Sequence, residues 1–546
     1  MAIRISGLNS GLDTDSIVQE LVSAYNLKTE KYEKAKTKLE WKQDAWKGLN
    51  TKIYNLYTNI SNLRYTSAYN MKKTTVSDTT KATVTSSSSA VIGTQRLQVL
   101  STAQTAYLTS GKLKIEGSEG TKVTKDSTLA DLGYKTTTKE NIQIGDKSLE
   151  VTGSTKVSDV IAWLQKSEEE GGPNLNASFD EKNQRIFISA KESGSNANFD
   201  IDTAKSGSSV LQALGFGTIE TLDDENANSS TTQNNDDETV AYKVNGSNAK
   251  IRLNGALYES NSNDFSINGL NITVQGVTKA GEEVLINTSV DAQGIYDKIK
   301  DFLIEYNNVI NEMTKLYNAE SSKDYEPLTS DEKEAMSEEE IEKWEGKIKN
   351  ALLRRDTTLS NVMSGMINIM SQSIVVGGEP VTGDDGKVKK DVYGNVQYRE
   401  GTGTKFNLSS FGIQTLGFLN AAENEQNAYH IDGDEDDANT SGKTDKLMKA
   451  IQENADQVCE FMQRLATNLY STIDTKMKST TVSSAYKVYN DKEMDSQLKN
   501  YEKLISDWEE KVADKEDYYY KKFSAMETAL SKLQNQTNSL SGLLGM

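Results

Sequence analysis

The sequence predicts a multidomain α+β protein, with a long terminal helical coiled-coil leg and two β-rich head domains inserted between the chain ends. Three observations predict it. Apolar residues recur at alternating steps of three and four along each end, the pattern of a helix with one narrow apolar seam. Between the ends lie short alternating runs rich in Thr, Ser, Asn and Gly, the texture of strands and turns. Only three prolines occur, Pro173, Pro327 and Pro380, so nothing interrupts a long helix at either end.

The N-terminal series is Val18, Leu21, Tyr25, Tyr32, Ala35, Leu39, Trp46, Leu49, Ile53, Leu56, Ile60 and Leu63, with Lys28 and Lys42 at polar seam positions. A helix from Thr14 to Leu63 is roughly 75 Å long at ~1.5 Å per residue. Asp13, Thr14 or Asp15 is placed to cap it. The C-terminal series is Met494, Leu498, Tyr501, Ile505, Trp508, Val512, Tyr519, Phe523, Met526, Leu530, Leu533, Leu540 and Leu544, with Lys515 among them. Two steps of four around Tyr519 and Phe523 form a stutter that locally unwinds a supercoil. Neither helix can bury its seam alone, so each is the natural partner of the other.

Residues 1–45 and 490–546 are therefore expected as terminal coiled-coil helices, and 46–73 with 291–489 as a helical leg domain carrying a small Gly-rich hairpin insertion at about 375–417. The β-rich part divides into an inner head domain, 74–117 with 240–290, and an outer one, 118–239, ending in an acidic linker at 222–239. Gly145-Asp146 and Asn268-Gly269 are expected turns, and Val157 to Lys166 a short helix.

Composition excludes several function classes. With 61 Lys+Arg against 80 Asp+Glu the net charge is −19, which disfavours nucleic-acid binding. One cysteine, Cys459, excludes an intramolecular disulfide and a thiolate zinc site; one histidine, His430, excludes an H-E-x-x-H site. His430 precedes Asp432, Asp434, Asp436 and Asp437, but a calcium loop would need Gly where Asp437 stands and Glu where Lys443 stands, so a solvated acidic turn is expected. The paired carboxylates Asp223-Asp224 and Glu338-Glu339-Glu340 lie in polar runs without an apolar pocket. No catalytic, cofactor or metal residue is expected. Trp41, Tyr518 and Tyr520 fall off the seams and are expected to remain for another chain. No run of eighteen apolar residues and no apolar h-region near residues 1–15 occurs, so membrane insertion and a cleaved secretory signal are not expected.

The opening Ser6-Gly7-Leu8-Asn9-Ser10-Gly11-Leu12-Asp13-Thr14-Asp15 resembles that of the flagellar hook-associated protein 2 family, the bacterial flagellar filament cap proteins. Glu326-Pro327-Leu328-Thr329, Trp344-Glu345, Leu353-Arg354-Arg355-Asp356 and Tyr519 to Glu527 are similar to later family segments, in family order. The resemblance spans about 1–105 and 240–546. It implies a non-enzymatic homo-oligomeric ring at the filament tip, helping exported flagellin fold and insert. It also implies flagellin, a cytosolic export chaperone and the flagellar type III export apparatus as partners, and a secreted location reached without a cleaved signal. A hook-filament junction protein and a surface adhesin using the head are the alternatives. The motif residues carried over are Ser6, Gly7, Leu8, Ser10, Gly11, Leu12 and Asp13, and the assembly seam is expected at Val18, Leu21, Tyr25, Leu39, Trp46, Leu49, Ile53 and Leu56, meeting Ile505, Trp508, Val512, Tyr519, Phe523, Met526, Leu530 and Leu533.

Overall fold

A computed structural model describes residues 10–118, 120–135, 139–222 and 238–544, as well as the backbone course of both terminal helices. Ser6, Gly7, Leu8 and most of the acidic linker, 223–237, lie outside the described residues. The chain forms two compact units, Met1–Tyr69 with Ala292–Met546, and Asn70–Asp291.

The first unit is mostly helical. Its N-terminal helix, Thr14–Leu63, is continuous across residue 45, so no backbone break separates coiled coil from bundle. The second half of that helix packs against Ala292–Asn318 and Lys446–Met477, and Thr357–Met370 packs on both of the latter. Asn454 leaves helical geometry (φ −156°, ψ 79°) and its side chain accepts the Gln457 N–H at 3.2 Å, so Lys446–Met477 is two helices joined at a capped kink. Between them a small hairpin, Ile374–Val376 with Thr404–Phe406, is pinned to the bundle by Arg464, which donates to Glu460 at 2.9 Å and to the Val396 carbonyl at 3.0 Å. The C-terminal helix is Asp491–Leu544.

The second unit contains two cores. In one, a five-stranded antiparallel sheet (Lys72–Val76, Val284–Val290, Gly93–Ser101, Ala249–Leu253, Ala256–Ser260, in spatial order) shares an apolar core with a three-stranded sheet (Asp264–Ile267, Leu270–Val274, Ala82–Ser86). Asn268 and Gly269 turn that hairpin with φ of 49° and 79°, both positive as a type I′ turn requires. In the other core, strands Asn176–Asp180, Arg185–Ser193, Thr105–Thr109, Ala241–Val244 and Ile219–Leu222 form a sheet against which helix Val157–Gln165 packs through Val160, Trp163 and Leu164.

Two boundaries differ from the expectation. Thr105–Thr109 and Ala241–Val244, assigned from sequence to the inner head domain, belong to the outer sheet, because Ala106, Leu108 and Ala241 face its core. The chain passes between the cores at Gln104 and Ser247, which exchange backbone hydrogen bonds at 2.9 and 3.2 Å. The ends of the expected acidic linker are also structural. Leu222 pairs with Val244 in a parallel ladder, and Lys112 forms an ion pair with Glu238 at 2.7 Å.

Candidate functional site: the paired terminal helices

Asp13 caps the N-terminal helix. It accepts the Ser16 hydroxyl at 2.7 Å and the Ser16 backbone N–H at 3.1 Å, and these bonds hold its carboxyl below the ordinary range. Ahead of it, Gly11 sits at φ 71°, a conformation that favours glycine. Leu12 is exposed, while Ser10 donates to Glu527 through its hydroxyl and, at 3.3 Å, through its backbone N–H. The opening motif thus ties the start of the first helix to the far part of the last.

From Ser10 to Gln43 the two helices run antiparallel. Tyr25 meets Trp508 with ring centroids 6.4 Å apart, Tyr32 meets Tyr501 at 6.5 Å, Lys36 pairs with Glu502 at 3.4 Å, and Gln43 donates to Asp495 at 2.6 Å. Val18 is buried here; Tyr25 and Leu39 are half-buried, as are Ile505, Trp508, Val512, Tyr519, Phe523, Met526 and Leu530. Two helices alone enclose few side chains, so apart from Val18, Val22 and Thr29 this part of the seam is only half-buried. Trp46, Leu49, Ile53 and Leu56 are almost fully buried, because helices Ala292–Asn318 and Lys446–Met477 surround them. Trp46 stacks on Tyr489 with centroids 5.5 Å apart and planes 8° off parallel.

Two seam expectations are corrected. Leu21 is 42% exposed and Val22 is fully buried in its place, with Thr29 likewise buried beside an exposed Lys28. Val18, Tyr25, Tyr32 and Leu39 recur every seven residues as expected, but the second contact of each heptad falls four residues on instead of three, at Val22, Thr29 and Lys36. Leu533 is 58% exposed and Leu540 60%, since Ser10 already meets Glu527 and the C-terminal helix runs on past the start of its partner. Leu533→Ala is therefore expected to change the unfolding free energy of the isolated chain by less than about 0.5 kcal/mol in urea titration. A cost of several kcal/mol there would show that Leu533 is covered within one chain.

Sequence reasoning missed most of the polar clamps along the first helix. Lys42 ends at Asp356, 2.8 Å away, and the same carboxylate caps Thr357–Met370 by accepting the Thr358 and Leu359 N–H groups at 2.9 and 3.1 Å. A lysine at a seam position needs a partner, and that was the only signal for this contact. Glu345, buried between Lys333 at 2.7 Å and Lys349 at 3.1 Å, stays below the ordinary carboxyl range although burial pushes it up. The Trp344 indole donates to the Glu326 carbonyl at 2.8 Å. Lys349 lies 4.4 Å from the Trp41 ring centroid and Tyr520 has a contact within the chain, so these two are not free surfaces; Tyr518 is 46% exposed. Asn50 donates to the Tyr486 carbonyl at 3.1 Å and accepts the Val488 N–H at 2.9 Å, fixing where the return helix begins.

The acidic run after His430 was expected to be a solvated turn; Glu435 and Asp436 are exposed, but Asp432, Asp434 and Asp437 are drawn into the protein. Asp434 and Asp436 hold Lys300 at 2.7 and 2.6 Å, Asp437 meets His430 Nδ1 at 2.5 Å, and Asp432 accepts from Lys443 at 2.9 Å and Gln414 at 2.9 Å. Burial pushes the Asp432 pKa up, but Lys443 and Gln414 outweigh it and hold the carboxyl below 3.8. Its stabilising effect is therefore present above about pH 4 and lost as pH falls through the lower folded value. Asp432→Asn should cost about 1–3 kcal/mol at pH 7, with the gap from wild type narrowing at pH 3; a gap that widens on acidification would contradict this. Among the described residues no group of three or more His, Cys, Asp or Glu is arranged to hold a metal ion, and no helix is long and apolar enough to cross a membrane. Burial pushes the Cys459 thiol up to about 12.

Fold and site together define a multidomain α+β protein whose two ends pair as an antiparallel helical hairpin. Residues 246–535 match the family profile described as flagellar hook-associated protein 2 C-terminus, and residues 10–106 match its N-terminus. The chain belongs to the flagellar hook-associated protein 2 family. It is 23% identical over 578 residues to flagellar hook-associated protein 2 of Halalkalibacterium halodurans, covering 98% of this chain and 99% of that protein. A Thermotoga maritima relative of the same name is 23% identical over 76% of this chain and 56% of its own length. Among solved structures, the D1, D2 and D3 domains of the Escherichia coli flagellar cap protein are similar at 15% identity with a TM-score of 0.45, covering 84% of this chain and 99% of that one.

Proposed function

We propose that this chain caps a bacterial flagellar filament as a homo-oligomeric ring at the tip, where it promotes folding and insertion of exported flagellin. Family membership over both the N- and C-terminal regions carries this reading. The thin hairpin suits it physically: a cap that shifts as each subunit is added needs many weak contacts in place of permanent burial. Passage through the flagellar type III export apparatus, with a cytosolic chaperone holding the chain, requires ends that order late, and half-buried seams meet that requirement.

The test is a strain lacking this chain, which should secrete unpolymerised flagellin and lose motility, both reversed by restoring it. Labelled chain should sit at filament tips. Label at the hook-filament junction, or normal filaments without the chain, would overturn the reading.

A further inference from the structure

We propose that Thr29 is the opening point of the terminal hairpin: a buried hydroxyl without a partner near mid-length, which keeps the two helices separable for export and assembly. This rests on the cap reading above and names the residue that regulates the pairing of the ends. Thr29 lies on the seam stripe, four residues after Tyr25 and three before Tyr32. Tyr25 meets Trp508 and Tyr32 meets Tyr501, so the antiparallel register sets Thr29 level with Leu504. The two aromatic pairs close over it from either side, and it is buried where Tyr25, Tyr32 and Leu504 are only half-buried. Its hydroxyl oxygen is shielded from solvent and has no hydrogen-bond partner. Among the described residues of the two terminal helices, no other buried side-chain polar atom is left in that state.

The ordinary remedy goes unused. A helical threonine can turn its hydroxyl back to the carbonyl four residues earlier. Thr51 donates to the Lys47 carbonyl and Thr58 to the Tyr54 carbonyl, both at 2.9 Å, and Thr528 of the C-terminal helix donates to the Ser524 carbonyl at 2.8 Å. Thr29 makes no such bond to Tyr25, and Leu504 has no side-chain acceptor to offer. The closed hairpin therefore carries the penalty of dehydrating this hydroxyl, and opening returns it to water. The polar groups toward the hairpin's two limits act the other way. Ser10 donates to Glu527 and Gln43 to Asp495 across the seam, and these bonds need the helices together. The hairpin is thus held at its limits and weakened near its middle, which lowers the free energy of local opening there.

The test is hydrogen exchange on the dispersed full-length chain carrying Thr29→Val, which keeps the branched shape and removes the hydroxyl. Val18 and Val22 already occupy the same stripe, so valine fits the seam. Amides from about 22 to 36 and from about 498 to 512 should exchange about tenfold more slowly than in wild type. Thr29→Ser, which keeps the hydroxyl and loses the methyl, should not slow them. In the strain lacking this chain, Thr29→Val should be exported about threefold more slowly than wild type, because fewer chains are open at any moment, while Thr29→Ser should match or exceed wild type. Exchange in Thr29→Val as fast as in wild type would show that the hydroxyl costs the hairpin nothing and would overturn the proposal. Slowed exchange with unchanged export would overturn it equally, since the weakness would then serve no passage. A wild-type chain that fails to restore motility sinks the cap reading instead, and the exchange comparison on dispersed chains still decides whether Thr29 weakens the hairpin.

Discussion

Trp46→Ala should lower the stability of the helical unit by about 3–5 kcal/mol, read as a fall in urea midpoint with little change in slope. Trp46 is 2% exposed, stacks on Tyr489, and stands where the N-terminal helix leaves the two-helix hairpin and enters the bundle. Removing the indole leaves a cavity at the joint and frees Tyr489, two residues before the return helix begins. Asn50 still holds Tyr486 and Val488, so the loss is of packing and not of chain course. Trp46→Phe should retain most of the stability, since a ring remains to stack. A midpoint within error of wild type for Trp46→Ala would show that this joint is not part of the core.

Ending the chain at Ser531 should leave folding almost unchanged and abolish function. Beyond Glu527 the C-terminal helix has passed the level of Ser10, and every described side chain from Lys532 to Leu540 is exposed, so these residues have little to contribute to the isolated chain. If their apolar positions are covered on assembly instead, each Leu contributes about 2–5 kcal/mol there, and losing both removes most of a weak contact. The expected result is a truncated chain with an unchanged urea midpoint that fails to restore motility and is absent from filament tips. Full rescue by the truncated chain would show that the overhang is dispensable.

The limits of the terminal helices were legible because they are local: a 3-4 apolar series, a cap at Asp13 and no proline specify Thr14–Leu63 without reference to the rest of the chain. The Asn268-Gly269 turn was legible for the same reason. Seam phase was less so. Val18 and Tyr25 belong equally to a three-then-four and a four-then-three series, and only the position of the partner helix decides that Val22 and not Leu21 is covered. Tertiary pairing was legible only as a need: Lys42 had to find a partner, but nothing in the sequence points to Asp356. The Asp432–Asp437 run shows the opposite limit, since its composition reads as solvated while Lys300 and Lys443 pair with it and His430 hydrogen-bonds to Asp437. The crossing between β cores at Gln104 and Ser247 was likewise hidden, because strands on either side of it share one alternating texture.

Hydrogen exchange along the C-terminal helix, compared between dispersed chains and the purified assembly, addresses the pairing of the ends most directly. Amides from about 495 to 525 should already be moderately slowed in the dispersed chain, where they face Tyr25, Tyr32 and Lys36. Those from 532 to 544 should exchange freely there and slow by about a hundredfold or more in the assembly. Exchange that is equally fast in both states over 532–544 would contradict the account.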